Sequence, residues 1–555
     1  MLLRLLSLAI AVALSGAGFA APVCAPSPRA AACLQGALDQ LVPGDTLRLE
    51  PGEYGLEAPL QLRQAGITLE GSGVGTVLRR AVSVADGEGV INLRGERQTL
   101  RSLRVDGGVT EPRRIPYADP AGTPSVFGAP IYGNPMHPEL LADTSITIHR
   151  GASAVLLEGL VIEHTGGYAV LVDARYGDIR DVTIRHCTLR NNRPHLFGVP
   201  PLEGRPADLR YGAWTGGIHY QNDGRDLPFA RFALKGLTVE DCRFERISGH
   251  AIWGHGYGFV TLNEDIRIRR NRFEDIGLDA IQIGNARRAL VEGNEMRRIG
   301  FVTESDTDRA RPAWYPGVQA DMADNISPVG VDTTGVVRES VYRENRIVSV
   351  NGTGIDLDGF TQGAVLGNEI RIPGREDAYG AAVDRVAEFG PYRAETPAPG
   401  NLTKGINLSN TAGQEPARRI RIAENRLWNL GGYAMLLMDF QESRIEHNEI
   451  RHSSTLNGPL VLANTLREPR ERHITGRNVI RENRIYFPWH AACVTEADDI
   501  GAGERPVAGP NFVYRNLCDA LWGELYRGRA SQSQKAPPPD TVFAPLAVGV
   551  PATRP

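Results

Sequence analysis

Asparagine returns along this chain at a fixed stride. Asn271 and Asn294, Asn345 and Asn368, and Asn425 and Asn448 are each 23 residues apart, and Asn483 heads a further unit. Two residues after each of these, and after the equivalent heads Leu160, Cys187 and Cys242, stands an apolar side chain: Ile162, Leu189, Phe244, Phe273, Met296, Ile347, Ile370, Leu427, Ile450 and Ile485. In six segments, from Leu160 to Val170 through Asn483 to Cys493, a second apolar residue follows ten positions after the head. The stretch Val341 to Phe360, VYRENRIVSVNGTGIDLDGF, shows the unit complete. A unit so short, made of alternating strands, cannot bury a core alone and must stack on its neighbours. The expectation is an all-β parallel β-helix solenoid, one coil per unit, with the Asn amides hydrogen-bonded up the axis as an interior ladder. β-branched alternation and frequent Gly oppose helical repeats.

A stack grows in one dimension, so 555 residues fit one long solenoid without division into several cores. A formal charge of −4 leaves no nucleic-acid footprint, and a monomer is expected. Met1 to Ala20 carries Arg4, an apolar run from Leu5 to Leu14 and small residues at Gly18 and Ala20. That is a cleavable signal peptide, which predicts a secreted or periplasmic protein. No later stretch has the roughly 18 continuous apolar residues of a membrane span. Export permits disulfides: Cys24 with Cys33 is the simplest pair, while Cys187 with Cys242 and Cys493 with Cys518 either pair or remain buried thiols.

In chain order, residues 21–518 form the β-helix domain, opened by a short amphipathic helix over Ala30 to Leu41 that covers the open end of the stack. Insertions near 106–143, 190–215, 297–327 and 372–403 all fall between the head strand and the strand after it, so they leave the solenoid along one edge. They carry Trp214, Trp314 and Tyr315 among other aromatics, which either stack on sugar rings or pack the loops onto the barrel. Residues 519–555 read as a Pro-rich tail.

Strand side chains alternate, so with Ile355 inward Asp356 and Asp358 point outward. The matching outward column is His149, Leu171, His219, Trp253, Gln282, Asp332, Asp356, Asn407 and Leu436. The next is Gly151, Asp173, Gln221, His255, Gly284, Thr334, Asp358, Ser409 and Met438. The residue before the inward one is always small, from Ala169 and Gly217 to Gly405 and Ala434, which reads as room for something to approach the backbone. Coils stack about 4.8 Å apart, which makes Asp332 and Asp356 close neighbours with Asp358 in reach. Carboxylates so placed repel unless one is protonated or a cation such as Ca²⁺ sits among them. Lys404, on the coil after Asp356, stands beside them as a candidate base. Other readings remain for single residues: Asp358 before Gly359 as a turn cap, His250 and His255 as surface histidines, Asp279 as a turn residue, and Arg272, Arg346, Arg426 and Arg484 as a solvated edge.

Together these residues resemble the right-handed parallel β-helix superfamily of polysaccharide-active enzymes, over roughly Gly44 to Asn516, and are most similar to family 9 of the pectate lyases. That resemblance implies a right-handed coil, a polysaccharide substrate, Ca²⁺ on Asp332, Asp356 and Asp358, and Lys404 abstracting the proton beside a uronate carboxylate. His255 or His219 would then protonate the leaving oxygen, with Gln282, Asn407, Trp253, Trp214, Trp314 and Tyr315 as sugar contacts. GVDTTG and GTGIDLDG match that family's Asp-Gly clusters loosely, and the DPHD motif of mannuronan epimerases is absent. Two further readings stay open: a glycoside hydrolase using two of the aspartates, and a non-catalytic carbohydrate-binding solenoid.

Overall fold

Each coil starts at a corner where one residue takes the left-handed conformation. Arg270, Glu344, Glu424 and Glu482, each directly before a ladder Asn, have φ between 54° and 60°, and Gly293 and Gly367 do the same at 63° and 62°. The corner turns the chain inward, so that the next side chain, the Asn, points along the axis rather than to solvent.

The computed structural model describes residues 24–110 except 86, 113–115, 143–199 except 193–194, 208–211, 216–222, 231–254 except 248, 261–303, 312–314, 328–371 except 351, 385–386, 390–391, 404–408, 417–451 except 429 and 431, 459–463, 475–487, 492–496, 511–520, 526–527 and 532–533. Over these the chain is a parallel β-helix with three faces. The first face is a sheet of 14 parallel strands that includes Arg272–Ile276, Arg346–Val350 and Arg426–Trp428. The second contains Tyr168–Asp173, Gly216–Gln221, Thr353–Asp356, Lys404–Leu408 and Met435–Met438. The third contains Ile179–Arg185, Leu234–Glu240, Val341–Arg343 and Arg421–Ala423. The helix Ala31–Gln40 precedes the first strand and buries Leu34 and Leu38. The Cys24–Cys33 disulfide ties its start.

The ladder runs unbroken from Asn271 to Asn516. Each Nδ2 donates to the Oδ1 of the next Asn at 2.9–3.1 Å, through Asn294, Asn345, Asn368, Asn425, Asn448 and Asn483. The same Oδ1 atoms accept the backbone N–H of the Asn one coil earlier. The ten apolar residues two after the heads are all fully buried. Arg272, Arg346, Arg426 and Arg484, one after the head, are exposed as expected. A second, shorter column that sequence periodicity did not reveal links Ser443, Asn478 and Asn511 at another corner.

Four expectations change. The column of small residues serves the interior. A Cβ at Gly354 would lie 2.6 Å from Ile370 Cγ2 and 2.8 Å from the Gly405 carbonyl oxygen, and one at Gly405 would meet the Ala434 carbonyl oxygen at 2.4 Å. What approaches the backbone is the protein itself. Cys187 and Cys242 are free and buried, whereas Cys493 and Cys518 are bonded. The two thiols occupy head positions, where each Sγ lies near carbonyl oxygens as the Asn amides do on later coils. Stacking also continues beyond Asn516: Leu517–Ala520, Tyr526–Arg527 and Gln532–Ser533 pair with the preceding coil, so the tail begins later than 519. The fourth is one of phase: Ile146, not Ile148, lies opposite Val170, which puts Thr147 in the outward column and His149 level with Asp173.

The first two insertions meet in a small sheet, Arg113–Ile115 parallel to His195–Val199 and the latter antiparallel to Asp208–Tyr211, as a shared edge requires.

Asn345→Ala leaves the Asn294 Nδ2 with its bond to the Ile268 carbonyl oxygen alone and the buried Asn294 backbone N–H without its acceptor, and is expected to cost about 1–3 kcal/mol, against less than about 0.5 kcal/mol for Arg346→Ala beside it, by chemical denaturation. Gly354→Ala overpacks the corner and is expected to cost about 1–3 kcal/mol in the same measurement, while leaving the circular dichroism of the sheet unchanged.

Candidate functional site

The second face carries the acidic column, and pairing across coils fixes its order. Leu171 lies opposite His219, His219 opposite Trp253, Trp253 opposite Gln282 and Gln282 opposite Asp332. Val331 pairs with Ile355, which seats Asp332 beside Asp356, and Asp356 lies opposite Asn407, itself opposite Leu436. Residues as far apart in the chain as 219 and 407 thus form one row about 4.8 Å per step.

The row divides into two halves. In the first, Tyr168, His219 and Trp253 stack with ring centroids 4.6 and 4.2 Å apart, and His250 lies against Trp253 at 5.1 Å and 9°. His219 Nδ1 faces the Trp253 carbonyl oxygen and its Nε2 faces Gln221 Oε1, each at 3.0 Å. Trp253 is 6% exposed and His219 2%, so these rings pack one another and present no open platform for a sugar.

In the second half, polar side chains take hold of the carboxylates. Gln282 Nε2 donates to Asp332 Oδ2 at 2.5 Å, and Asn407 Nδ2 donates to Asp356 Oδ2 at 2.9 Å. Asp356 is 8% exposed, while Asp332, Asp358, Gln282 and Lys404 around it are half-buried. The expected open trench is therefore a largely covered row. Such burial disfavours the charged form. It pushes Asp332 well above the usual carboxylate range, and the charges of Asp279 and Asp356 add to the shift against the Gln282 hydrogen bond. Burial, then the charge of Asp358, push Asp356 up to about 7, with the Asn407 hydrogen bond and Lys404 acting in the opposite direction.

Asp279 and His250 join this group, although the sequence placed them at a turn and on the surface. His250 Nδ1 stands 2.9 Å from Asp279 Oδ2, both buried, and Asp279 Oδ1 accepts the backbone N–H of Val329 on the next coil. Both lie two residues before the inward position of their strands. Lys404 occupies the same place on its coil, opposite Thr353. Strand alternation misses that position because the corner intervenes; the repeated offset from Ile252, Ile281 and Ile406 is the signal that finds it.

Oxygen ligands of one Ca²⁺ lie within about 5 Å of one another, twice the usual metal–oxygen distance. Among the described residues the set of carboxylate and imidazole atoms lying mutually within 4.8 Å is Asp106, Glu163 and His164 on the first face. As their side chains stand, Asp332, Asp356 and Asp358 do not converge so closely. His255, Trp214 and Tyr315 lie outside the described residues, and of Trp314 only its place in the strand Pro312–Trp314 is described.

No protein-family model matches this chain, and no curated protein matches it. Its structure is similar to solved parallel β-helices. One is the A-module of the mannuronan C-5 epimerase AlgE4 of Azotobacter vinelandii, at 13% identity and TM-score 0.40, covering 93% of this chain and 98% of that one. Another is the surface adhesin PfbA of Streptococcus pneumoniae, at 10% identity and TM-score 0.49, covering 87% and 92%. A third is the GH136 lacto-N-biosidase of Eubacterium ramulus, at 12% identity and TM-score 0.42, covering 80% and 68%. The likeness is one of fold.

Because Asp356 holds its proton more tightly folded than unfolded, its contribution to stability declines as pH rises from about 4 to about 7, and Asp332 acts with the same sign. Asp356→Asn, melted in the presence of a chelator, is expected to be more stable than the parent at about pH 8, with the difference shrinking toward about pH 4.

Proposed function

We propose that this chain is an exported polysaccharide-cleaving enzyme whose acid–base chemistry is carried by Asp356 and Asp358. The observation that carries the reading is the row itself: coil stacking brings Asp332 beside Asp356, holds one oxygen of each through Gln282 and Asn407, and sets Asp358 two residues further along the same chain. Carboxyl groups whose environments separate their proton affinities divide into acid and base. Asp356, buried and pressed by the charge of Asp358, keeps its proton up to about 7, and Asp332 beside it is pushed in the same direction. Asp356 would give that proton to the leaving glycosidic oxygen. Asp358, whose charge does the pressing, would serve as the base for an attacking water.

Asp358 stands beyond the strand Thr353–Asp356, in a turn closed by the Phe360 N–H on the Leu357 carbonyl oxygen, and the separation of the two carboxyl groups when substrate is bound decides between retention at about 5 Å and inversion at about 6.5–9.5 Å. The leader over Met1 to Ala20 and the two disulfides support export.

A second reading is elimination on a uronate polymer. It is favoured by Lys404, whose charge acts on Asp356 from the following coil and which would take the proton as the base. Ca²⁺ on Asp332, Asp356 and Asp358 would neutralise the uronate carboxylate in that reading, and those side chains would first have to close in.

Incubation of the mature protein with neutral, acidic and amino glycans separates the readings. Hydrolysis is expected: new reducing ends, no ultraviolet-absorbing product, no effect of chelator, and a loss of about 10²-fold or more in kcat/KM for Asp356→Asn. Unsaturated products that disappear on chelation would select elimination. No cleavage of any glycan would discard both in favour of a binding solenoid.

A further inference from the structure

Two oxygens at the floor of the acidic row have no donor. Asp356 Oδ1 and Asn407 Oδ1 are buried and lack a hydrogen-bond partner among the described residues. Turning the Asn407 amide over does not cure this, since its Nδ2 already donates to Asp356 Oδ2 at 2.9 Å and the flip would set oxygen against oxygen. The two residues are directly opposite one another on neighbouring coils, so the unpartnered oxygens belong to one step of the stack. Buried acceptors left in this state oppose folding unless something supplies the missing donors.

The surroundings narrow what that is. Asp279 and Asp358 act on both Asp332 and Asp356 with negative charge, and among the described residues Lys404 acts on Asp356 with positive charge. Lys404 does not hydrogen-bond Oδ1. A complementary ligand therefore brings positive charge and several donors and carries no acceptor of its own. A sugar hydroxyl brings no charge, and an N-acetyl group offers one N–H together with a carbonyl oxygen. A uronate carboxylate would face carboxylates. An ammonium group has three donors on one small atom and no acceptor, and it tolerates acceptors at hydrogen-bond distance, a looser shell than a Ca²⁺ ion requires.

We propose that the saccharide seated at the Asp356–Asn407 step carries a free primary amine, which makes the substrate class a polysaccharide of de-N-acetylated hexosamine. The proposal rests on the reading of this row as the saccharide site. The half-buried Gln282, Asp332, Asp358 and Lys404 form the rim through which the amine enters, and Asp356 Oδ1 and Asn407 Oδ1 receive it; Asp356 is ionised in that complex, and the proton for the leaving oxygen is then held by Asp332.

The test is calorimetric titration of the full mature chain with a glucosamine hexasaccharide and with its fully N-acetylated counterpart, in chelator. The amine form is expected to bind at least about tenfold more tightly, as charge-assisted hydrogen bonds do over neutral ones. Asp356→Asn preserves side-chain shape and is expected to erase the preference; its melting curve reports whether it has folded. Asn407→Ser serves as the second variant, with a reduced preference expected. Equal binding of the two oligomers by the parent chain, tighter binding of the acetylated form, or a preference that survives in folded Asp356→Asn would overturn the proposal. Preferential amine binding without cleavage of any glycan would keep the amine site and remove the catalytic reading. Cleavage of neutral glycans with no preference for the amine would do the reverse.

Discussion

Every feature of this molecule depends on one coil lying in register on the next. A parallel pair of strands satisfies its backbone only if the chain returns to the same place after each turn, and the left-handed residue before each ladder Asn makes that return a tight corner. The amide behind it then does two tasks at once: it bonds its counterpart one coil on, and its oxygen caps the backbone N–H of the coil before. A slip of one residue would send the ladder to solvent and the outward row into the core. Register is thus held by polar groups at the corner as firmly as by the buried Ile and Phe along the strands.

The same register makes a site out of positions that are distant in the chain. Gln282, Asp332, Asp356 and Asn407 come from four consecutive coils, yet they stand as a single row with hydrogen bonds at both ends. Because a solenoid repeats its backbone, it repeats the place of each outward side chain, and chemistry is written by which residue occupies that place on each coil. Here the row passes from stacked rings at Tyr168, His219 and Trp253 to carboxylates, then to Leu436. The aromatic half is a packed wall. The acidic half is where burial and like charge work against ionisation, and that tension is the property a proton donor or a cation-binding site uses.

Much of this was legible before any coordinates. The head positions, the buried residues two further on, the exposed Arg after Asn271, Asn345, Asn425 and Asn483 and the acidic row from Leu171 to Leu436 all follow from counting, since alternation and stride are local rules. Counting went astray where a rule had two solutions. Ile146 and Ile148 both suit the inward place, and only pairing with Val170 selects the first. Small residues before the inward position read as room for something to approach the backbone, and the nearness of Ile370 and the Gly405 carbonyl shows that the space is filled by the protein's own interior. Asp279 and His250 escaped because they precede the strand at a corner, where period two does not hold.

What the sequence determined alone is the winding: which residues face in, which face out, and which coil follows which, because the polymer's stereochemistry repeats with the unit. What only the tertiary structure decided is the state of the groups so arranged. Whether Asp356 is charged, whether His219 and Trp253 meet solvent or one another, and whether Cys187 and Cys242 are joined depend on burial and on neighbours one coil away. Those are properties of distance in space, and no stride along the chain encodes them.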